Sequence, residues 1–236
     1  MGTTVQTKAD FLYKLTTAKA ALRAITLIPG ETTYIFLDQL ANNLNLDRKK
    51  LQIEFEKRSP MKEGVFVPNT YNIPIGITER ELIALLLRIS IHKMKKLSLK
   101  IFGSYNEKKW FRYVTIASII QKESANNKEM PLVSSVIYNR LKKGMKLQMD
   151  GTLNYGKYSH IRVTPNRIKN DKTSYNTYLY KGLPSQPICN VSTEAIMAAI
   201  FPAKTNYLYF MKSKKGTHDF ACNYSTHLRN IRRATK

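Results

Sequence analysis

The chain has 236 residues, of which 43% are hydrophobic, so it is long enough to bury a sizeable core and does not belong to the disordered class. Its 39 lysine and arginine residues outnumber 16 aspartate and glutamate residues, which gives a formal net charge of +23 at pH 7. This charge favours an anionic partner, and nucleic acid, anionic lipid and an acidic wall polymer all satisfy it. The sequence contains no apolar run of the roughly 18 residues that cross a bilayer, and its first residues do not resemble a signal peptide.

Cysteine and histidine spacing argues against a metal centre. Cys189 and Cys222 lack the paired CxxC spacing of zinc sites, and the four histidines are scattered. We therefore expect no metal and no cofactor. The two thiols either form one disulfide, if the protein works outside the cytoplasm, or stay separate as buried thiols.

The first third of the chain predicts a small β–α–α–β unit at 21–75, after an N-terminal segment at 1–20. A strand at 21–28 ends at a Pro-Gly turn, and Thr32 or Thr33 then caps a helix. A second helix is expected at 47–57, followed by an extended segment at 64–75.

The rest of the chain, 76–236, predicts a mainly helical domain. Residues 145–191 are rich in Tyr, Asn, Thr, Gly and Pro with little periodicity, and an irregular segment of that length is usually functional. The predicted fold class is α+β, in which the small unit precedes a mainly helical domain with a short β-hairpin near the C-terminus. The expected elements are helices at 78–99, 110–124, 129–143 and 192–201, strands at 207–212 and 217–221, and a final basic helix.

Acidic residues are scarce in the second half, so a catalytic carboxylate can be sought by elimination. We expect Glu129 and Glu194 to lie in first turns of helices, where a carboxylate satisfies the helix dipole. Asp171 lies between lysines and Asp219 lies on a hairpin, so both are expected to be solvated. The six acids from position 110 onward are Glu123, Glu129, Asp150, Asp171, Glu194 and Asp219.

Glu123 is the unusual member of this set. It follows three isoleucines by seven, four and three residues, so it shares their helix face. Burial raises the pKa of a carboxyl, and a carboxyl that is protonated near neutral pH can act as a general acid. The alternatives are a buried structural acid paired with Arg140 or Lys122, or an acid at a frayed helix end that faces water.

Asp150 is the second candidate acid. It lies just where a new helix could begin, so its plain interpretation is a helix N-cap. A functional alternative is that it orients the substrate or holds the catalytic loop.

Tyrosines interleaved with Asn and Thr give the irregular segment the composition of a sugar-binding cleft. Aromatic faces stack on sugar rings, while amides and hydroxyls bond to sugar hydroxyls. An alternative is that these tyrosines only pack the loops. The set comprises Tyr155, Tyr158, Tyr175, Tyr178 and Tyr180.

Eight short blocks, in one order along the chain, resemble the endolytic murein transglycosylase family, also called YceG-like. The resemblance extends from about residue 28 to residue 229, and the ordered set is far more specific than any single block. The blocks are 63–71 (EGVFVPNTY), 117–123 (ASIIQKE), 139–141 (NRL), 145–150 (MKLQMD), 175–178 (YNTY), 182–184 (GLP), 208–210 (LYF) and 218–220 (HDF).

The resemblance implies that Glu123 is the catalytic glutamate of a lyase. It would cleave the bond between N-acetylmuramic acid and N-acetylglucosamine within peptidoglycan glycan strands, leave 1,6-anhydro ends and terminate nascent strands. The expected substrate-binding residues are Ser124, Gln148, Asp150, Tyr175, Asn176, Thr177, Gly182 and Pro184.

The resemblance also implies a setting. The unit at 21–75 would be LysM-like and touch glycan, and a peptidoglycan synthase would be a partner. The family's N-terminal membrane anchor is missing from this chain, and the expected location is the extracytoplasmic, periplasmic face of the bacterial inner membrane. The positive charge would suit stem-peptide carboxylates and anionic membrane lipid.

Three other functions stay open. A hydrolytic muramidase would use Asp150 as a second acid, and a wall-binding module would have no activity. A nucleic-acid-binding protein suits the charge, but no zinc-finger spacing, ribonucleoprotein motif or helix-turn-helix signature supports it, so we expect no nucleic-acid partner.

The sequence departs from the family pattern at three places near the expected cleft. Gln121 stands where an acid is frequent, and Ser185 replaces the second proline of a Gly-Leu-Pro-Pro motif. Residues 189–192 replace an Asn-Pro-Gly run, so we expect a loop of different shape there.

Overall fold

The computed structural model describes residues 7–8 and 21–235, which form helices and two small antiparallel sheets. The predicted segment 1–20 lies, apart from residues 7 and 8, outside this range. The helices are α1 (Thr33–Leu44), α2 (Arg48–Arg58), α3 (Glu79–Phe102), α4 (Glu107–Glu123), α5 (Met130–Lys142), α6 (Pro165–Asn170), α7 (Thr193–Ile200) and α8 (Tyr224–Thr235). The strands are β1 (Leu22–Leu27), β2 (Asn69–Pro74), β3 (Tyr209–Lys212) and β4 (His218–Ala221).

The predicted β–α–α–β order is confirmed in the first unit. β1 pairs with β2 in antiparallel register, with Leu22 opposite Pro74 and Leu27 opposite Asn69. Thr32 caps α1, as one of the two predicted caps. The core of this unit contains packed aromatic rings, because Phe66 packs against both Phe36 and Phe55 at ring-centroid distances of 5.4 and 5.3 Å.

The remaining elements pack around α4, whose residues from Val114 to Ile120 are all buried. α4 contacts α5, α7 and the short 3-10 turn Asp150–Leu153. This packing places the C-terminal end of α4, and therefore Glu123, beside the irregular segment. The predicted α+β class is confirmed.

Helix boundaries differ from the predictions where capping residues decide them. α4 begins three residues earlier than expected, because the Asn106 side chain accepts a hydrogen bond from the Lys109 backbone. α3 runs to Phe102 and ends at Gly103, whose φ of 69° is the left-handed conformation that glycine adopts readily. The segment 145–191 is irregular as predicted, apart from α6 and two 3-10 turns.

The C-terminal hairpin is held by an acid whose role was underestimated. Glu129 lies at the N-cap of α5, close to the predicted position in a first turn. Its carboxylate accepts hydrogen bonds from the His218 backbone at 2.8 Å and contacts the His218 ring at 2.7 Å. Glu129 therefore fixes β4 to the start of α5, in addition to any dipole effect. Asp219, which was expected to be solvated, pairs with Arg233 of α8 at 2.8 Å.

The two cysteines do not form a disulfide. The alternative of two separate buried thiols holds for Cys189, which is buried, but not for Cys222, which is exposed. No helix within the described residues is long and apolar enough to cross a bilayer.

Candidate active site

Glu123 is the last residue of α4, and its carboxyl faces the irregular segment. Oε1 accepts a hydrogen bond of 2.6 Å from the Gly151 backbone N–H. Oε2 makes no hydrogen bond within the described part of the chain, and the side chain is only partly buried. One oxygen is therefore fixed and the other is available to a bound molecule.

The surroundings of Glu123 favour its protonated form. Burial, together with the negative charge of Asp150, raises the pKa of Glu123 to about 7. The Gly151 hydrogen bond and the positive charge of Arg140 oppose this shift without cancelling it. The carboxyl therefore titrates near neutral pH, as a group that both donates and accepts a proton requires.

Neither predicted ion-pair partner binds Glu123, so the alternative of a buried acid paired with Arg140 or Lys122 is wrong. The Arg140 guanidinium is buried and donates to the backbone carbonyls of Leu147 and Leu208. The Lys122 ammonium donates to Ser159 Oγ at 3.1 Å. Both cations are occupied elsewhere, and Glu123 has no ion pair among the described residues.

Asp150 is not the helix N-cap that the sequence indicated. It is the first residue of the 3-10 turn Asp150–Leu153, whose capping position is Met149, and no side chain caps that turn. Its carboxylate instead accepts a 2.6 Å hydrogen bond from the Tyr178 hydroxyl. Asp150 is exposed, so it forms part of the site surface beside Glu123.

A second layer of polar contacts fixes the loop that presents Gly151. Gln148 has a φ of +49°, a conformation that costs a non-glycine residue free energy, and it is exposed. Its backbone N–H donates to the Thr177 carbonyl at 3.1 Å. The Thr177 hydroxyl lies 3.1 Å from both the Met149 backbone N and the Thr152 hydroxyl. The 145–150 and 175–178 blocks are thus one structural unit.

Two expected substrate-binding residues are buried within this unit. Asn176 is fully buried and donates to the carbonyls of Ile168 and Asp171, and Thr177 is equally inaccessible. Both side chains hold the loop, and neither exposes a surface that a glycan could contact. Ser124 is the C-cap residue of α4, and its hydroxyl is buried without a partner in the described region.

The profile of the YceG-like family matches residues 3–233, which is nearly the whole chain. The chain belongs to the YceG-like family. It is 38% identical over 117 residues to the endolytic murein transglycosylase of Bacillus subtilis, an alignment that covers 49% of this chain and 32% of that protein. It is 31% identical over 184 residues to the Streptococcus pneumoniae protein of the same name, with coverages of 72% and 31%.

This YceG-like chain spans about a third of the length of those curated relatives. A solved YceG-like protein from Listeria monocytogenes has the same fold, with a TM-score of 0.72 and 25% identity. That similarity covers 94% of this chain and 80% of the Listeria chain. The family resemblance of the ordered sequence blocks is therefore confirmed.

Gly182 and Pro184 of this YceG-like chain lie in a different place from Glu123. They line a groove of about 1010 Å³ together with residues of the first half of α4, and Glu123 is not among its lining residues. Thr115, which lines the groove, precedes Glu123 by eight residues, or about 12 Å along the helix. The groove and the carboxyl therefore share one helix.

Three of the five tyrosines pack together, and two of them, Tyr155 and Tyr175, also line a small pocket. Tyr155 stacks on Tyr175 at a centroid distance of 4.2 Å, and Tyr158 lies edge-on to Tyr155. Arg167 lies over Tyr158 at 3.9 Å, and Asp171 accepts the Tyr155 hydroxyl at 2.8 Å. Asp171 is therefore part of a packed network, and the expectation that it is solvated was wrong.

Two buried acids of the first unit were missed, because elimination began at position 110. Glu63 accepts hydrogen bonds from the Thr33 hydroxyl and from Gly64, and burial nevertheless raises the pKa of Glu63 to about 7. Glu31 accepts from Ser159 at 2.9 Å and contacts His160 at 2.8 Å. The only signal for Glu63 was its place in the first of the eight blocks that resemble the family, and Glu31 had no such signal.

Proposed function

We propose that this YceG-like chain carries the catalytic centre of an endolytic peptidoglycan lytic transglycosylase, a carbon–oxygen lyase that acts on a polysaccharide. The observation that carries the proposal is the state of Glu123: a carboxyl with one oxygen fixed by Gly151, one oxygen open, and a pKa of about 7. The curated relatives are named for this activity.

In the first step, protonated Glu123 donates from Oε2 to the oxygen that links N-acetylmuramic acid to N-acetylglucosamine. The bond from that oxygen to C1 of the muramic acid breaks, and the N-acetylglucosamine leaves with the proton. Glu123 is then a carboxylate, and the Gly151 N–H stabilises the new negative charge on Oε1.

In the second step, the Glu123 carboxylate accepts the proton of the muramic acid C6 hydroxyl. The hydroxyl oxygen forms a bond to C1, which yields the 1,6-anhydro end and restores protonated Glu123. The nucleophile belongs to the substrate, so one carboxyl serves both steps. Hydrolytic glycosidases normally require a second carboxyl for water or for a covalent intermediate.

The exposed carboxylate of Asp150 favours one second candidate, a hydrolytic muramidase. Asp150 lies close enough to raise the pKa of Glu123, which is the arrangement of a two-acid hydrolase. Its hydrogen bond from the Tyr178 hydroxyl at 2.6 Å supports a role in positioning instead. The reaction product separates the two candidates.

Digestion of purified peptidoglycan in heavy-oxygen water tests the reaction class. We expect internal cleavage whose new muramic ends are 1,6-anhydro and carry no heavy oxygen by mass spectrometry. Reducing ends that contain heavy oxygen would identify a muramidase and reject the lyase. An absence of both products, with retained binding to the wall, would point to a module without activity.

The groove beside the first half of α4 supports a glycan-binding surface that extends away from Glu123. Three basic side chains of α4 line it, Lys108, Lys109 and Arg112, together with the acid Glu107. Stem peptides carry carboxylates at regular intervals along a glycan strand, so basic residues here suit the substrate. Binding on this side of Glu123 would place the scissile bond inside a strand, as endolytic cleavage requires.

Replacement of Lys108, Lys109 and Arg112 by glutamine, termed the groove triple, is expected to raise KM about tenfold with little change in kcat. Three exposed charge contacts together are worth about 1.4 kcal/mol, which is a factor of ten. KM and kcat should be measured on soluble glycan strands at low and high salt. Salt screens the groove charges, so it should reduce the difference in KM between the wild type and the groove triple.

The matched control replaces Lys212, Lys214 and Lys215, three exposed lysines of the β3–β4 hairpin, and is termed the hairpin triple. It removes the same charge, so equal KM values for the two triples would contradict a specific role for the groove.

The wider setting follows from the same activity. In this proposal the unit at 21–75 is a LysM-like subdomain that contacts glycan, and the domain at 76–236 holds the catalytic residues. Action on nascent strands would place the protein at the extracytoplasmic face of the inner membrane, tethered by an anchor and beside a peptidoglycan synthase. Steeply salt-dependent DNA binding without binding to the wall would contradict this proposal and favour a nucleic-acid partner.

A further inference from the structure

A separate pocket lies between α3, α7, the start of α4 and the segment that precedes β2. Its volume is about 410 Å³, within the range of pockets that hold small ligands. Apart from a proline, a threonine and three lysines, its lining is apolar: Val67, Met94, Leu97, Trp110, Val191 and Ile196. Such a lining suits a hydrocarbon group and offers few partners to a sugar.

Three lysines of α3 form the rim of this pocket. Lys93, Lys96 and Lys100 are exposed and are spaced by three and four residues, so they lie along one helix face. After Glu81, α3 contains no acidic residue. None of the three lysines forms an ion pair with any described residue. The rim therefore presents uncompensated positive charge at the mouth of an apolar pocket.

Trp110 lines the same pocket and carries an unsatisfied donor. Its side chain is 1% exposed, and its indole N–H is buried without an acceptor in the described part of the chain. A buried donor that lacks a partner costs free energy, which an acceptor oxygen from a ligand would recover. The pocket thus combines an apolar lining, one unpaired donor and a cationic rim.

We propose that this pocket binds an anionic phospholipid. The headgroup phosphate contacts Lys93, Lys96 and Lys100, an oxygen of the glycerol ester region accepts from the Trp110 indole, and the first part of one acyl chain contacts the apolar lining. Nucleic acid fits less well, because the buried indole has no face on which a base could stack. A membrane surface that contains anionic lipids presents negatively charged headgroups, which the three lysines can contact together.

Trp110 is the single tryptophan of the chain, so its emission reports on this pocket directly. Vesicles of phosphatidylglycerol with brominated acyl chains should quench that emission, and vesicles of brominated phosphatidylcholine should not. Replacement of the three rim lysines by glutamine, termed the rim triple, should weaken binding to phosphatidylglycerol vesicles about a hundredfold in co-sedimentation. The hairpin triple should weaken it less than about threefold.

The two readouts separate a lipid in the pocket from general attraction to an anionic surface. Vesicle binding without quenching, or equal losses for the rim and hairpin triples, would overturn the proposal. Absence of binding to any vesicle would overturn it as well, and would favour an apolar segment of a partner protein as the occupant. The assay requires no turnover, so its result is independent of the proposed lyase activity, and the rim triple should cleave soluble glycan strands at the wild-type rate.

Discussion

Replacement of Glu123 by glutamine is expected to lower the turnover of glycan strands by about a thousandfold or more. The glutamine has the size of the glutamate, and its amide oxygen still accepts the Gly151 N–H, so the fold and the loop are retained. The variant loses only proton donation and acceptance, and general acid–base catalysis contributes roughly 100- to 10,000-fold per group. Release of 1,6-anhydro muropeptides, quantified by mass spectrometry, measures the effect.

The matched control for this variant is Glu194→Gln. Glu194 is exposed in the first turn of α7, so the same chemical change there should leave turnover unaltered. Turnover of Glu123→Gln within tenfold of wild type would contradict the assignment of Glu123 and make Asp150 the next acid to replace.

The pH dependence of the wild type and of Glu123→Gln provides a second readout. Cleavage needs the protonated acid at the start, so turnover should fall as pH rises above about 7, the pKa of Glu123. The folded pKa lies above the ordinary value of 4.5, so ionised Glu123 destabilises the folded protein. Glutamine removes that cost, and the variant should become more stable than wild type as pH rises from about 4.5 to 7. Denaturant titrations at several pH values test this, and the difference should vanish below about pH 4.5.

The place of Glu123, at the end of a buried helix face, could be predicted from sequence because its evidence is local. A carboxylate on the face of three isoleucines predicts burial within one helix, and the family resemblance selects the same residue. Element types could be predicted for the same reason, since apolar periodicity and caps such as Ser192 act within a few residues. The start of α4 shifted because its cap, Asn106, lay beyond the periodic run.

Residues whose roles depend on distant partners could not be predicted in this way. Asp171 lies among lysines in the sequence, but its actual partners include Tyr155, sixteen positions away. Glu31 contacts Ser159, which is 128 positions away and leaves no pattern near either residue. Gly151 is the clearest case, because its contribution is a backbone N–H and the sequence shows only a glycine. A chain that folds back on itself brings such groups together by packing, and single-sequence periodicity does not record that packing.

The departures from the family pattern also acquired partners through the fold. Gln121 accepts a hydrogen bond from the Ser192 backbone at 3.1 Å, which joins α4 to the start of α7. The Ser185 hydroxyl lies 2.7 Å from the Ser174 hydroxyl. Asn190 is buried and accepts from the Phe66 backbone at 3.0 Å, so it joins the two parts of the chain. Its amide also donates to the Glu31 carbonyl at 3.1 Å, and an ionised acid or a proline could not both accept and donate in this way.

Replacement of Gly151 by alanine is expected to lower turnover about a hundredfold although no titratable group is changed. A Cβ at this position would lie 2.6 Å from Lys122 Cβ and 2.8 Å from Glu123 Oε1, both far inside van der Waals contact. The loop or the end of α4 must move, which breaks the Gly151–Glu123 hydrogen bond and displaces the carboxyl. A displacement of about 1 Å from a productive geometry can cost roughly 100-fold in rate. The loss should appear in kcat, while binding along the α4 groove, and hence KM, changes little.

Gly144→Ala separates this positional effect from general destabilisation. Gly144 has a φ of +64° and open space around it, so alanine there is strained by about 1 kcal/mol without contact with Glu123. We expect that variant to unfold at lower denaturant concentration and to keep the wild-type kcat. If Gly151→Ala retained kcat while losing stability, Gly151 would be a packing residue and its N–H would not be needed for catalysis. If both glycine variants lost kcat in proportion to their loss of stability, the effect would be global, and the site would depend on the rigidity of the whole loop.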